Sequence, residues 1–221
     1  MRALALTVLF LPVLALSGCC FTFPDEGGAF LAANPAGPRA ASLSEVRVRP
    51  GLEPLPTTVR VEVFVDFQCP YCRKLHPDLV RLRQTFGAGI DVALRMNPLP
   101  FHDKAAPAAR AALAAGRQGK LWEMSSLLYE VPANLAPEQA PALAARLGLD
   151  VERFRRDVGD PSLTAEIERD QRTAAALGAR GTPTTFVNGR KIVGAKPYEQ
   201  LEPIVREEVD RVAALRSLSP R

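Results

Sequence analysis

The chain is poor in cysteine, histidine and aromatic residues. It has four cysteines and two histidines in 221 residues, and 6% of its side chains are aromatic. So few cysteines argue against a framework of structural disulfides. The scarcity of aromatic side chains leaves no platform for stacking bases, and the formal net charge is only +4 with both signs interspersed. Nucleic acid is therefore not expected as a partner.

The longest uncharged run lies at the amino terminus. Arg2 precedes an apolar stretch over residues 3–16, which predicts a secretory signal peptide over residues 1–18 because the run is too short for a convincing membrane span. Leu16-Ser17-Gly18-Cys19 also resembles a bacterial lipobox, which implies that Cys19 carries a lipid. An ordinary signal peptide cut near this point is the alternative.

Lipidation of Cys19 implies that the exported chain is anchored in a membrane of the bacterial cell envelope and that its domain faces the periplasm. The next residue, Cys20, is not the aspartate associated with inner-membrane retention in some bacteria, so the outer membrane is slightly favoured over the inner one. Residues 19–57 form the predicted lipidated tether, because six prolines fall between residues 20 and 57. An alternating stretch at residues 45–49 predicts a short edge strand within it.

Strand and helix patterns alternate directly after the tether. Apolar residues recur at every second position from Val59 to Phe67, which predicts a strand. A helical stripe follows over residues 70–86, with Pro77 inside it, and a second alternating strand follows at residues 90–97. Strand, helix and strand predict a right-handed parallel crossover, assigned to a first half-domain at residues 58–102.

Residues 103–179 change to alanine-rich helical segments, which predict a helical insertion. Two short strands flank Asn188-Gly189, the preferred pair for a tight hairpin turn, and a final helix completes a second half-domain at residues 180–216. Residues 217–221 are expected to be a disordered tail. The predicted fold class is α/β, a mixed central sheet flanked by helices with an inserted α-helical domain.

The sequence Cys69-Pro70-Tyr71-Cys72 lies where the first strand gives way to the helix. Two thiols at this spacing can form and break a disulfide. Cys69 falls among the free backbone amides at the helix start, where the positive end of the dipole favours a thiolate. We therefore expect Cys69 to be an exposed nucleophile of low pKa and Cys72 a more buried resolving thiol, with Pro70 and Tyr71 tuning the pair.

The order of these motifs resembles the DsbA-like branch of the thioredoxin superfamily over roughly residues 59–215. The specific parts are the C-P-Y-C motif after Asp66-Phe67-Gln68, and Gly181-Thr182-Pro183-Thr184 before the hairpin. The resemblance implies a thioredoxin fold and a protein thiol-disulfide oxidoreductase without a cofactor. Its partners would be thiols and disulfides of exported proteins and a membrane or soluble redox partner. It also implies a cis peptide bond at Thr182-Pro183, where both residues would bind the substrate backbone.

Three other uses of the cysteines stay open. The same dithiol could work as a reductase or isomerase instead of an oxidase. A lipoprotein module could bind extended peptides near Pro183 and keep the disulfide for structure only. A zinc site made of Cys69, Cys72, His76 and His102 is disfavoured because the separation of the histidines matches no finger-like spacing, so no metal is predicted.

The sequence departs from the thioredoxin pattern in one place. Many such proteins carry a buried carboxylate six residues before the first cysteine, but Val63 occupies that position here. Glu62 is adjacent and should point to the other face of the strand. Either a bulge redirects Glu62, or the proton of Cys72 leaves through water, which we favour. Asp66 is interpreted as structural.

Overall fold

The structure, a computed structural model, describes residues 58–131 and 139–218. The predicted signal peptide, the lipidation site at Cys19, the tether and its short strand at residues 45–49 all lie outside these residues. No helix in the described part of the chain has the length and apolar character needed to cross a membrane.

The described residues form four strands and seven α-helices. The strands are β1 (Val59–Val65), β2 (Ile90–Met96), β3 (Thr184–Val187) and β4 (Arg190–Val193). The helices are α1 (Pro70–Phe86), α2 (Ala105–Gly116), α3 (Leu121–Glu130), α4 (Ala140–Arg146), α5 (Val151–Val158), α6 (Pro161–Ala176) and α7 (Tyr198–Leu218). Helices α2 to α6 all fall between β2 and β3 in the sequence.

The strands form a mixed sheet in the order β2-β1-β3-β4. β1 pairs parallel with β2 and antiparallel with β3, and β3 pairs antiparallel with β4. The parallel crossover and the hairpin therefore agree with the sequence prediction. The hairpin turn uses Asn188 and Gly189, whose φ angles of 46° and 87° lie in the left-handed region that this residue pair tolerates.

Most of β1 is buried because the strand lies in the middle of the sheet and both of its faces are covered. On one face its valines join the main core, which includes Leu75 and Leu79 of α1 and Leu201 of α7. On the other face Phe64 packs edge-on against Phe186, with ring centroids 5.9 Å apart, in a smaller cluster that contains Ala174 of α6. Helices therefore cover both faces of a mixed sheet, which is the predicted α/β architecture.

The predicted disordered tail at residues 217–221 begins too early. Helix α7 continues through Ser217 and Leu218, and the Ser217 hydroxyl donates to the Ala214 carbonyl over 2.7 Å. The residues before it, Ala213 to Arg216, are good helix formers, and the first proline after them is Pro220. Nothing in the sequence therefore stops the helix at residue 216.

Candidate active site

Cys69 occupies the N-cap position of α1, directly before Pro70. Proline is favoured in the first helical position because its fixed φ suits the helix and it has no N–H to leave unpaired. The backbone of Cys69 is extended, with φ −72° and ψ 120°, and its carbonyl accepts the Arg73 N–H over 3.1 Å. The sulfur therefore lies at the positive end of the helix dipole, where an anion is favoured.

The loop before β3 lies against this sulfur. The peptide bond between Thr182 and Pro183 is cis, as the resemblance implies. When protonated, the Cys69 thiol donates to the Thr182 carbonyl oxygen, 3.2 Å away. Two segments that are 113 residues apart in the sequence thus meet at one atom.

The two thiols have opposite acidities. A hydrogen bond from Cys72 is the main reason that the pKa of Cys69 falls from 9.0 to about 5. Burial opposes this lowering, and the neighbouring Thr182 side chain adds to it. Burial, and then the neighbouring Cys69, raise the pKa of Cys72. At neutral pH the site therefore holds a Cys69 thiolate beside a protonated Cys72.

The prediction that Cys69 is exposed is wrong. Its residue is only 5% exposed, compared with 1% for Cys72. Cys69 is covered because its sulfur faces the Thr182 loop, which the sequence could not place. The more accessible members of the motif are Pro70 and Tyr71, and Tyr71 is 64% exposed. Both thiols are thus buried, and Cys69 is slightly less buried than Cys72.

No bulge brings a carboxylate to Cys72. β1 pairs residue for residue with both neighbours, including Val63 with Leu94 and with Thr185. Val63 is fully buried, and Glu62 accepts hydrogen bonds from the Arg95 guanidinium at 2.7 and 3.1 Å. The bulge alternative is therefore wrong, and the proton route through water stays a prediction.

Asp66 organises the backbone beside the cysteines. Its buried carboxylate accepts the Gln68 N–H over 2.7 Å and the Leu99 N–H over 2.8 Å. Its second oxygen also lies 2.8 Å from the His102 Nδ1 atom. These contacts join the end of β1 to the loop after β2, which is the structural role that the sequence suggested.

The two histidines take part in separate local contacts. His76 Nε2 lies 2.8 Å from the Ser126 hydroxyl, whereas His102 binds Asp66. Burial, and to a lesser degree the charge of Arg83, lower the pKa of His76 to about 4. Within residues 58–131 and 139–218 no three potential metal-binding side chains come together.

Two buried hydroxyl groups near the cysteines were not predicted from the sequence. Tyr129 Oη and Thr182 Oγ1 are buried, and neither has a hydrogen-bond partner among the described residues. The sequence predicts a role for Thr182 through its backbone and none through its hydroxyl. Tyr129 lies on α3, 57 residues beyond Cys72, and no local motif marks it.

The sequence model of a family described as Thioredoxin matches residues 56–207. Among solved structures, a thioredoxin-like oxidoreductase from Silicibacter pomeroyi is 30% identical, with a TM-score of 0.60, and the match covers 75% of this chain and 91% of that one. The thiol-disulfide exchange protein α-DsbA2 from Wolbachia pipientis has a TM-score of 0.63 at 21% identity, covering 68% of this chain and 82% of that one. At this lower identity the likeness concerns the fold.

Some curated relatives are much longer proteins. A Na(+)/H(+) antiporter NhaA from Herminiimonas arsenicoxydans is 39% identical over 132 residues, which are 60% of this chain and 21% of that protein. NhaA 1 from Salinispora arenicola is also 39% identical, over 69% of this chain and 23% of that protein. The chain spans about a fifth of the length of these relatives.

Proposed function

Because the chain belongs to the thioredoxin family and carries its paired thiols, we propose that Cys69 and Cys72 exchange a disulfide with exported proteins, mainly as an oxidase. The substrate thiolate attacks Cys69 in the disulfide form, and Cys72 leaves. A second substrate thiolate then attacks the substrate sulfur of the mixed disulfide and releases Cys69. In the opposite direction Cys69 attacks a substrate disulfide and Cys72 resolves the intermediate.

The observation that carries this proposal is the position of Cys69 at the N-cap of α1, with its sulfur 3.2 Å from the Thr182 carbonyl oxygen. There the pKa of Cys69 is lowered to about 5. Stabilising the thiolate stabilises the reduced form of the pair, which makes its disulfide a better oxidant of other thiols. A disulfide kept only for structure needs no such stabilisation. The low pKa therefore favours exchange over passive peptide binding, and oxidation over reduction.

Thr182 and Pro183 are proposed to bind the substrate backbone next to Cys69. Support comes from the Thr182 carbonyl, which lies 3.2 Å from the Cys69 sulfur. Tyr71, between the two cysteines, is exposed and offers an aromatic surface to a substrate. Pro70 and Tyr71 are proposed to tune the pair by shaping the first turn of α1.

The site of action is proposed to be the bacterial cell envelope. The support is the sequence alone: an apolar run that predicts a signal peptide over residues 1–18, a lipobox-like stretch that ends at Cys19, and a proline-rich segment after it. The lipid anchor would hold the domain on the periplasmic side of a membrane. The outer membrane is slightly favoured over the inner one as the membrane that carries the anchor. A membrane or soluble redox partner would return the pair to its working state.

Two measurements test this proposal, both in a Cys20→Ser background so that Cys20 does not react. Cys72→Ala should trap mixed disulfides with exported proteins, and Cys69→Ala is the matched control that should trap none. Equilibration of the Cys69-Cys72 pair with glutathione should give an oxidising potential. A potential near that of thioredoxin, about −270 mV, would support a reductase. A Cys69 that resists alkylation at neutral pH would support the peptide-binding alternative.

A further inference from the structure

Tyr129 on α3 is a buried tyrosine whose hydroxyl has no partner. The residue is 4% exposed, and Oη makes no hydrogen bond of normal distance and angle with any described residue. A buried hydroxyl without a partner is destabilising, because folding removes its hydrogen bonds to water and replaces them with nothing. The structure retains this group beside the cysteine pair, where the proposed function requires a charge to form.

The ring of Tyr129 lies over the segment that carries the cysteines. Its centroid is 5.0 Å from the Phe67 ring and 5.0 Å from the His76 ring. Phe67 precedes Cys69 by two residues, and His76 follows Cys72 by one helical turn. These two contacts place the ring of Tyr129 against the segment from Phe67 to His76, which carries both cysteines.

Cys72 is one of the charged groups that act on the Tyr129 hydroxyl. Burial raises the pKa of Tyr129 well above its usual value, and negative charge on Cys72, Asp66 and Cys69 raises it further. The phenol therefore keeps its proton and can donate it in a hydrogen bond. Among the described residues this hydroxyl has no partner, so its proton is not yet used in a hydrogen bond.

We propose that the Tyr129 hydroxyl donates a hydrogen bond to the Cys72 sulfur whenever that sulfur is negatively charged. Tyr129 is then a catalytic residue, because it contacts a reacting atom. This inference rests on the proposed exchange of disulfides. It also explains how the site works with Val63 in place of a carboxylate: a donor stabilises the Cys72 thiolate, and no buried base is needed to accept the proton.

The resolving step is an exchange between thiols and a disulfide, so it needs no cofactor. Cys72 gives its proton to water, and its thiolate receives the hydrogen bond from Tyr129. The Cys72 sulfur then attacks the Cys69 sulfur of the mixed disulfide, so that the Cys69-Cys72 bond forms and the bond to the substrate breaks. The substrate sulfur keeps the electron pair, leaves as a thiolate and takes a proton from water. The pair is oxidised and the substrate disulfide is reduced.

In the reverse direction the substrate thiolate attacks Cys69, and Cys72 leaves as a thiolate. Tyr129 stabilises the same negative charge on Cys72 in this direction. The two directions share one transition state, so loss of the hydroxyl should slow both equally. The equilibrium between the pair and a thiol should therefore change little.

The test uses Tyr129→Phe in the full chain with Cys20→Ser, because phenylalanine keeps the ring contacts and removes one oxygen. The reduced protein reacts with a nitrothiobenzoate disulfide, whose released thiolate absorbs visible light. Attack by Cys69 releases the first equivalent and resolution by Cys72 releases the second. Loss of a hydrogen bond to a charged group should slow the second release about ten- to a hundredfold. The first release and the glutathione equilibrium should stay within about twofold.

Tyr198→Phe is the matched control. Its hydroxyl lies 3.0 Å from the Thr85 hydroxyl near the far end of α1, so both releases should keep their rates. Equal slowing of the two releases in Tyr129→Phe, or a second release as fast as in the parent, would overturn the role of Tyr129. A parent protein whose Cys69 does not react at all would instead refute the proposed function.

Discussion

Replacing Cys72 by alanine should raise the pKa of Cys69. The Cys72 thiol makes the largest contribution to the lowering of that pKa from 9.0 to about 5. Alanine removes the donor, whereas the Thr182 side chain and the backbone of α1 remain. We therefore expect a partial rise and not a return to the ordinary value.

The size of the rise follows from the strength of one hydrogen bond to a charged sulfur. Such a bond is worth about 1.5–3 kcal/mol, and one pKa unit corresponds to about 1.4 kcal/mol. The pKa of Cys69 in Cys72→Ala should therefore lie about one to two units higher, at about 6–7. At pH 5 the parent would be about half ionised and the variant about a tenth ionised or less.

The ultraviolet absorbance of the thiolate, followed against pH, measures this midpoint directly, and the pH dependence of alkylation confirms it. Both proteins carry Cys20→Ser. Cys69→Ala is the blank, because the pKa of Cys72 is raised and no thiol of the pair should then titrate in the acid range. A midpoint above about 8 in the parent, or the same midpoint in parent and Cys72→Ala, would refute the reasoning.

Three further predictions concern stability and proton transfer. In the reduced protein folding lowers the pKa of Cys69, so the contribution of Cys69 to the free energy of unfolding should fall by about 2 kcal/mol from pH 7 to pH 5. Urea unfolding of the parent and of Cys69→Ser at both pH values measures this change, and an equal pH dependence in the two proteins would contradict the prediction. Asp66→Ala should lower the free energy of unfolding by about 3 kcal/mol, because it leaves the partly buried N–H groups of Gln68 and Leu99, and also His102, without their acceptor. Denaturant midpoints measure this loss, and a loss below about 1 kcal/mol would contradict it. Glu62→Gln should leave the glutathione equilibrium and the rates of both nitrothiobenzoate releases within about twofold of the parent, because Glu62 binds Arg95. A tenfold change would instead indicate that this carboxylate takes part in proton transfer.

Most of the fold could be predicted because its signals are local. β1 alternates valines at every second residue, and its pairing with β2 and β3 buries them. The predicted helix at residues 70–86 has the same bounds as α1, since Pro70 starts it and Gly87, with φ 49°, follows its last residue. The end of α7 was missed because no residue before Pro220 breaks the helix.

The sequence by itself determined the pair at Cys69 and Cys72, its place at a strand-to-helix junction, and the helix dipole that favours a thiolate, because spacing and periodicity express these directly. Only the tertiary structure decided what surrounds the pair. The Thr182 loop covers Cys69, and the Tyr129 ring packs against Phe67 and His76 from a helix 57 residues beyond Cys72. Burial and long-range contacts arise only when distant segments pack together, and here they set which thiol is ionised.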